Sequence, residues 1–513
     1  MLGFTSSRGA AALRRIRSAF PRSSVMASGE AACPAGSEAR RAVTAAILVF
    51  VSPLVPAAQV DKPSIVAGLE ADYERYRSIA HTLWENPELG YLETRSAALL
   101  KETLAGEGFT IESGVADIPT AFTATYGDAG PVIGILGEYD ALPGMSQAAV
   151  PQEQPLEDGA PGQACGHHLF GTASLAAAVA IKDWLRETGT PGTVRYYGTP
   201  AEEGGSGKVY MVRAGLFDDV DAVLSWHSGD ANTANPGTNL ATISGKFRFR
   251  GRSAHAAAAP ERGRSALDGV EAMNLMVNML REHTTEPTRI HYVITGGGNA
   301  PNIVPKYAEV YYIVRHDEVD EVRSVWNRVV KVAEAAALGT ETSMDYEIIG
   351  GTYPRLPNEV LAAALHRNLS LVGGVEYDEE ERQFAAELQK TLGSDVPPID
   401  SAARVEPMRF TEGKASADTG DVSWSVPMAA MRAATWVPGT PAHSWQAVAA
   451  GGMSIGYKGM MVAAKTLALT AVDLYTKPAL LSQARAEFEE RIGPDFLYQA
   501  LLGDRKPALD YRK

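Results

Sequence analysis

The sequence predicts an α/β fold: a mixed-sheet domain with helices on both faces, split by an inserted ferredoxin-like α+β domain. Three observations carry that expectation. Short apolar segments alternate with helical ones between Thr120 and Trp226, as in a sheet covered by helices. From Ala241 to Ile349 the order changes to β-α-β-β-α-β, the split βαβ unit. Beyond Tyr353 the first pattern resumes to about Lys477, so the first domain closes around the second.

A length of 513 residues, 45% apolar and 21% charged, is that of a folded protein of two or three domains. Cys33 and Cys165 are the only cysteines, so neither a disulfide framework nor a Cys-x-x-Cys knuckle can be built. The 61 acidic and 47 basic residues leave a net charge of −14, which argues against nucleic-acid binding and for a small-molecule partner.

Residues 1–58 run against that balance, with arginine at 8, 14, 15, 17, 22, 40 and 41 against Glu30 and Glu38. Arg40-Arg41 precede an apolar run from Ala42 to Val55, and Val55-Pro56-Ala57 offers a cleavage site, the layout of an export signal. Interrupted by Pro53, the run falls short of the roughly 20 residues a spanning helix needs, so no stable membrane insertion is expected. A periplasmic or secreted protein is expected. Initiation at Met26, or a transit peptide in the acid-free first 29 residues, would instead give a cytoplasmic or organellar one.

Ser64 to Gly108 has helical apolar spacing broken at Asn86-Pro87, and Thr120–Tyr126 and Val132–Leu136 read as strands. An aperiodic connection from Gly144 to Gly162 leads into a small-residue helix, Gly171–Leu185. Val194–Tyr197 is a strand, Gly207–Ala214 a short helix, Ala222–Trp226 a buried strand. In the insertion, strands at Ala241–Phe249, Ile290–Thr295, Ala308–Val314 and Met344–Ile349 are joined by helices at Arg264–His283 and Glu318–Ala337. The expected boundaries are a leader at 1–58, the split domain at 59–239 and 351–478, the insertion at 240–350, and a charged, partly helical tail at 479–513.

Four segments could carry chemistry. In Gly162-Gln163-Ala164-Cys165-Gly166-His167-His168, a thiol and an imidazole two residues apart on a Gly-rich loop suit a divalent metal; a buried structural cysteine beside a helix-start histidine fits equally well. In Gly198-Thr199-Pro200-Ala201-Glu202-Glu203-Gly204-Gly205, adjacent carboxylates after a strand point apart, so one can bind metal while the other handles protons; alone, the pair would read as a solvated surface. Ser225-Trp226-His227 ends the next strand at the sheet edge where open α/β sheets place their sites, although a lone histidine there is more often held by a backbone bond. Gly439-Thr440-Pro441-Ala442-His443 sets a histidine on a tight loop and taken singly means little. Together these give enough ligands for two metals with one carboxylate left over. Such a pair activates water for amide hydrolysis at neutral pH, and the spare carboxylate takes the water proton.

The order GEYDALPG, GQACGHHLFGTAS, GTPAEEGGSGK, LSWHSG, GRSAHAAAAPERGRSALDGV, GGGNAPNIVP and SADTGDVSWSVP…GTPAHSW resembles aminobenzoyl-glutamate hydrolases of the B-subunit type, within the cocatalytic-metal amidohydrolase and peptidase family. That family includes aminoacylase, glutamate carboxypeptidases and plant auxin-conjugate hydrolases, and the match runs from about Tyr73 to Thr476. The resemblance implies two divalent ions per subunit, zinc or manganese, held by Cys165, His167, Glu203, His227 and His443, with Glu202 as general acid/base and Asp140 supporting the site. Where the wider family has a metal-binding histidine, this chain has Glu138, and His168 stands where the B-subunit type often has Asn. The insertion resembles the family's lid and dimerisation domain. There His255, of a GxxxH motif, would reach the neighbouring subunit's site and polarise the scissile carbonyl, and Asn302 and Arg315 would hold the substrate carboxylate, a task suited to the planar guanidinium.

The expected activity is hydrolysis of an N-acyl or N-aroyl amino acid by a homodimer, or by a heteromer with a homologous subunit. An aminoacylase, auxin-conjugate hydrolase or dipeptidase of the same family is the first alternative; a binding protein without chemistry is the second. A purely structural metal site is disfavoured, because such sites close with four ligands and no spare base.

Overall fold

The computed structural model describes residues 62–512, so the expected leader, its cleavage site and Cys33 lie outside the described residues. The strands are β1 (Thr110–Ser113), β2 (Phe122–Tyr126), β3 (Val132–Gly137), β4 (Thr193–Gly198), β5 (Ala222–Gly229), β6 (Gly237–Thr238), β7 (Ala241–Arg250), β8 (Arg289–Gly296), β9 (Tyr307–His316), β10 (Ser343–Thr352), β11 (Thr411–Glu412) and β12 (Met428–Ala434). The first sheet has the order β1-β2-β4-β3-β5-β12. It is antiparallel from β1 to β4 and parallel from β4 to β12, hence mixed. The sequence does not predict strand β1: Thr-Ile-Glu-Ser is short and almost wholly exposed, so no apolar alternation marks it.

Two long helices pack on this sheet and on each other, His167–Thr188 and Ser454–Thr476, rich in Ala and buried along nearly their whole length. The first begins at His167 rather than at the expected Gly171. Gly166 takes a left-handed φ of 77° in front of it, and a Cβ there would lie 2.3 Å from Ser228 Oγ, so only glycine lets the chain turn into the helix at this point. That turn sets Cys165 and His167 on either side of the helix start.

In the insertion, helices Ala266–Leu280 and Val319–Gly339 pack on a four-stranded antiparallel sheet of order β10-β7-β9-β8, the ferredoxin-like arrangement. Its strands keep period two. Ala308, Val310, Tyr312 and Val314 of β9 are buried and join Phe247, Phe249 and Trp326 in a core separate from that of the split domain. After the helix Pro478–Ile492, the tail bridges these cores: Leu501 enters that of the insertion and Leu502 that of the split domain. Among the described residues no helix is long and apolar enough to cross a membrane.

Candidate active site

The parallel strands deliver the candidate residues to one edge. Glu138 and Asp140 follow β3, Glu202 and Glu203 follow β4, and His227 lies near the C-terminal end of β5. Cys165 and His167 meet them from the helix start, and His443 arrives from the loop after β12. His443 has a left-handed φ of 59°, and its backbone N–H donates to Ala164 O at 3.0 Å, which fixes it beside Cys165.

Three groups of ligand atoms converge, each with all atoms within 4.8 Å of one another: Cys165, His167 and His227; Cys165, Glu203 and His443; His167, Glu202 and Glu203. Cys165 Sγ is 3.6 Å from His227 Nε2, and His443 Nε2 is 3.1 Å from Glu203 Oε1. His167 Nδ1 lies 3.0 Å from Asp140 Oδ1, and the other Asp140 oxygen accepts the Glu203 N–H at 2.9 Å. Asp140 thus orients one histidine and the glutamate loop together. His227 Nδ1 is 2.9 Å from Ser228 O, which leaves Nε2 turned to the cluster.

The loop holding both glutamates is conformationally demanding. Ala201, Gly204 and Ser206 have positive φ, and Glu203 has a non-helical ψ of 66°. Outside groups hold it. Glu93 Oε1 accepts the Ala201 N–H at 2.8 Å, and Tyr91 Oη donates to Gly205 O at 2.7 Å.

The electrostatics are those of a cation site. Burial alone would raise the Cys165 thiol, yet His167 and His227 hold it well below the usual thiol range. Burial disfavours the His167 imidazolium, but Cys165, Glu138 and Asp140 raise it well above ordinary histidine. Hydrogen bonding to Cys165 and Glu203 pushes His443 up to about 10. Thiolate and carboxylates therefore draw protons onto the imidazoles, and a divalent ion would displace those protons. Two buried atoms also fit such a role: His167 Nε2 lies 3.0 Å from Glu138 Oε2 and Glu203 Oε1 lies 3.1 Å from His443 Nε2, pairs of ionisable groups that an ion among them would replace. A thiolate, three imidazoles and carboxylates form a donor set suited to zinc or manganese.

Glu202 sits in a different field. Burial, then the carboxylates of Glu138, Asp418 and Glu203, raise its carboxyl well above the usual range. It borders a cavity of about 220 Å³ with Glu203, Thr242, Ser244, Tyr311 and Arg315. Arg315 Nη1 donates to Ser416 Oγ at 2.9 Å, and the guanidinium has no carboxylate partner among the described residues. His255 and Asn302 are not brought to this cluster. Both are exposed on the insertion, where Ala256 N–H donates to Asn302 O and the Ala257 and Ala258 amides donate to His255 Nδ1 at 3.2 and 3.1 Å.

Sequence reasoning missed the charge group beneath Glu202. Lys208 Nζ lies 2.6 Å from Glu138 and 2.8 Å from Asp418, all three buried. A lysine inside the apolar stretch Lys208-Val209-Tyr210-Met211-Val212 was the available signal, because a charge there must find partners. Glu93 is the second omission; burial, with Asp140 nearby, pushes it up to about 8.

A thiolate, imidazoles and carboxylates converging at a sheet edge, beside a cavity that a guanidinium also lines, form a candidate cation site of the kind that metal-dependent hydrolases use to activate water. Residues 240–341 match the family model described as the peptidase dimerisation domain of M20 proteins. The B chain of Escherichia coli K12 p-aminobenzoyl-glutamate hydrolase is 43% identical over 82% of this chain and 93% of its own length. Xaa-Arg dipeptidase of Mus musculus is 30% identical over 81% of this chain and 89% of its own. A dinuclear metal-binding M20 peptidase from Bacillus subtilis, 18% identical, shares the fold with a TM-score of 0.54 over 79% of this chain and 99% of its own. The chain belongs to the M20 family of peptidases and amidohydrolases and is a hydrolase of amide bonds.

Proposed function

We propose that this chain hydrolyses the amide bond of small N-acyl or N-aroyl amino acids of the aminobenzoyl-glutamate type, using two divalent ions, zinc or manganese. The observation that carries the reading is the convergence of Cys165, His167, His227, Glu203 and His443 beside a second glutamate, Glu202, at a cavity that both glutamates and Arg315 line. Cys165, His167, Glu203, His227 and His443 would hold the ions, which when bound lower the pKa of water and polarise the scissile carbonyl.

Glu202 accepts a proton from the attacking water and passes it to the leaving nitrogen, the role its raised carboxyl suits. Arg315, with no carboxylate partner among the described residues, pairs with the substrate's free carboxylate. His255 accepts two amide N–H groups at Nδ1, so its Nε2 carries the proton and is exposed. With Asn302 beside it, this donor serves the site of a neighbouring subunit, either a second copy or a homologous partner.

The test is turnover of aminobenzoyl-glutamate, N-acetyl amino acids and Xaa-Arg dipeptides by full-length protein loaded with zinc or manganese. Aroyl-glutamate is expected to give the highest kcat/KM. Glu202→Gln is expected to lose about 100- to 10,000-fold in kcat with bound metal unchanged. Full turnover by that variant refutes the proton role, and no turnover of any substrate by the wild type leaves only a binding protein.

A further inference from the structure

The C-terminal tail ends against the glutamate loop. Tyr511 Oη donates to the backbone carbonyl of Glu203 at 3.0 Å, and Arg512 Nη2 donates to the same oxygen at 2.6 Å. Two donors on one carbonyl are what this loop lacks internally, since Glu203 leaves helical geometry at ψ 66° and Gly204 follows at φ 91°.

The contact is built into the surrounding structure. The Tyr511 ring packs edge-on against Tyr91, with centroids 5.5 Å apart, and Tyr91 in turn holds Gly205 O. Gly90 gives the Tyr511 hydroxyl its passage: a Cβ at that position would stand 2.1 Å from it. Upstream, Arg213 Nη1 donates to Gly503 O and Arg505 O at 2.8 Å each, and Arg505 Nη2 reaches Glu347 of β10 at 2.9 Å. The tail therefore arrives already anchored to both domains.

We propose that Tyr511 and Arg512 are positioning residues for the cation site. By fixing the Glu203 carbonyl they set the direction of the Glu203 carboxylate, so cation affinity depends on the last two described residues of the chain. The proposal rests on reading Glu203 as a cation ligand.

The experiment compares wild type, Tyr511→Phe/Arg512→Ala and Arg512→Lys, all full length. Zinc affinity is measured by competition with a chromophoric chelator, and the Tm of the metal-free proteins is measured in parallel. Loss of supporting contacts around metal ligands typically costs 10- to 100-fold in affinity. The double variant is expected to lose about that much for one of two ions, with the metal-free Tm nearly unchanged. Arg512→Lys, which keeps a cationic donor, is expected to stay within a few fold of wild type and serves as the folding-competent check. Unchanged affinity in the double variant overturns the proposal, as does a lowered Tm with intact affinity, which would make the tail a structural strap only. Wild type that takes up neither zinc nor manganese refutes the ligand role of Glu203 itself; wild type that binds two ions beside an unaffected double variant refutes the tail's role alone.

Discussion

Replacing Lys208 by methionine isolates the charge group beneath Glu202. Lys208 is fully buried in the helix Gly207–Arg213, its Nζ 2.6 Å from Glu138 and 2.8 Å from Asp418, while its backbone N–H donates to the second Asp418 oxygen at 2.9 Å. Burial disfavours the ammonium, but Asp418, Glu138 and Glu202 outweigh it and hold Lys208 well above ordinary lysine. Methionine keeps the length and removes the charge, leaving two buried carboxylates without a cation. Removing one partner of a buried pair costs about 3–5 kcal/mol; with two carboxylates stranded, the upper end applies at pH 8. The stranded carboxylates respond by holding protons that the unfolded chain releases. Their folded pKa values lie above the unfolded ones, so the variant's stability is greatest below the usual carboxylate range and falls as pH rises from that range through the raised folded values. The deficit relative to wild type is therefore expected to be largest at pH 8 and to shrink toward pH 5, as measured by urea unfolding of the metal-free proteins at both pH values. A deficit below about 1 kcal/mol at pH 8, or one equal at both pH values, refutes Lys208 as the counter-charge.

Three further outcomes test other parts of the site. Cys165→Ser replaces an easily ionised thiol by a hydroxyl that stays protonated, so bound metal measured by plasma emission should fall below that of wild type; unchanged stoichiometry refutes ligation by the thiol. Arg315→Ala should raise KM about 10- to 100-fold for a substrate with a free carboxylate and leave its α-amide analogue nearly unaffected, whereas equal losses on both would sink the pairing. Glu93 keeps its proton up to about pH 8 in the folded chain against an ordinary value of 4.5, so its contribution to stability is complete below 4.5 and is lost between there and 8. Glu93→Gln retains an acceptor for the Ala201 N–H and cannot titrate. Its stability relative to wild type should improve by a few kcal/mol on going from pH 5 to pH 8; parallel pH profiles would refute the buried, protonated carboxyl.

How much of this could be read beforehand follows from the range of the interactions involved. The insertion is legible because its signals are local: β9 buries every second residue, and Val319–Gly339 presents Val322, Val325, Trp326, Val329 and Ala333 along one face. Strand β1 has no such signal, and the start of the long helix is set by a left-handed glycine rather than by apolar spacing. The candidate ligands stand out because each lies near a glycine at a strand end, a helix start or a tight loop. Lys208, Asp418 and Glu93 do not, because their meaning lies in partners across the chain, 210 positions for Lys208 with Asp418 and 108 for Ala201 with Glu93. The tail is the extreme case, with Arg512 and Glu203 separated by 309 positions.

The glutamate loop shows why those distant partners matter for the chemistry. In a strand adjacent side chains point to opposite faces, and in a helix they stand roughly 100° apart; the glutamate pair follows neither spacing, and both carboxylates border one cavity with His167 as a common neighbour. The observed solution breaks the backbone immediately after Glu202, with Glu203 at ψ 66° and Gly204 at φ 91°, and flanks it with Ala201 and Ser206 in left-handed conformations. Left-handed non-glycine residues cost on the order of 1–3 kcal/mol each and persist only where the surroundings over-determine them. Here the surroundings are Glu93 on Ala201, Asp140 on the Glu203 amide, Tyr91 on Gly205, and Tyr511 with Arg512 on the Glu203 carbonyl. Each restrains a different peptide group, and together they hold the backbone that carries both carboxylates at the ligand cluster. Substitutions at these supports should therefore register in metal affinity and turnover as well as in stability.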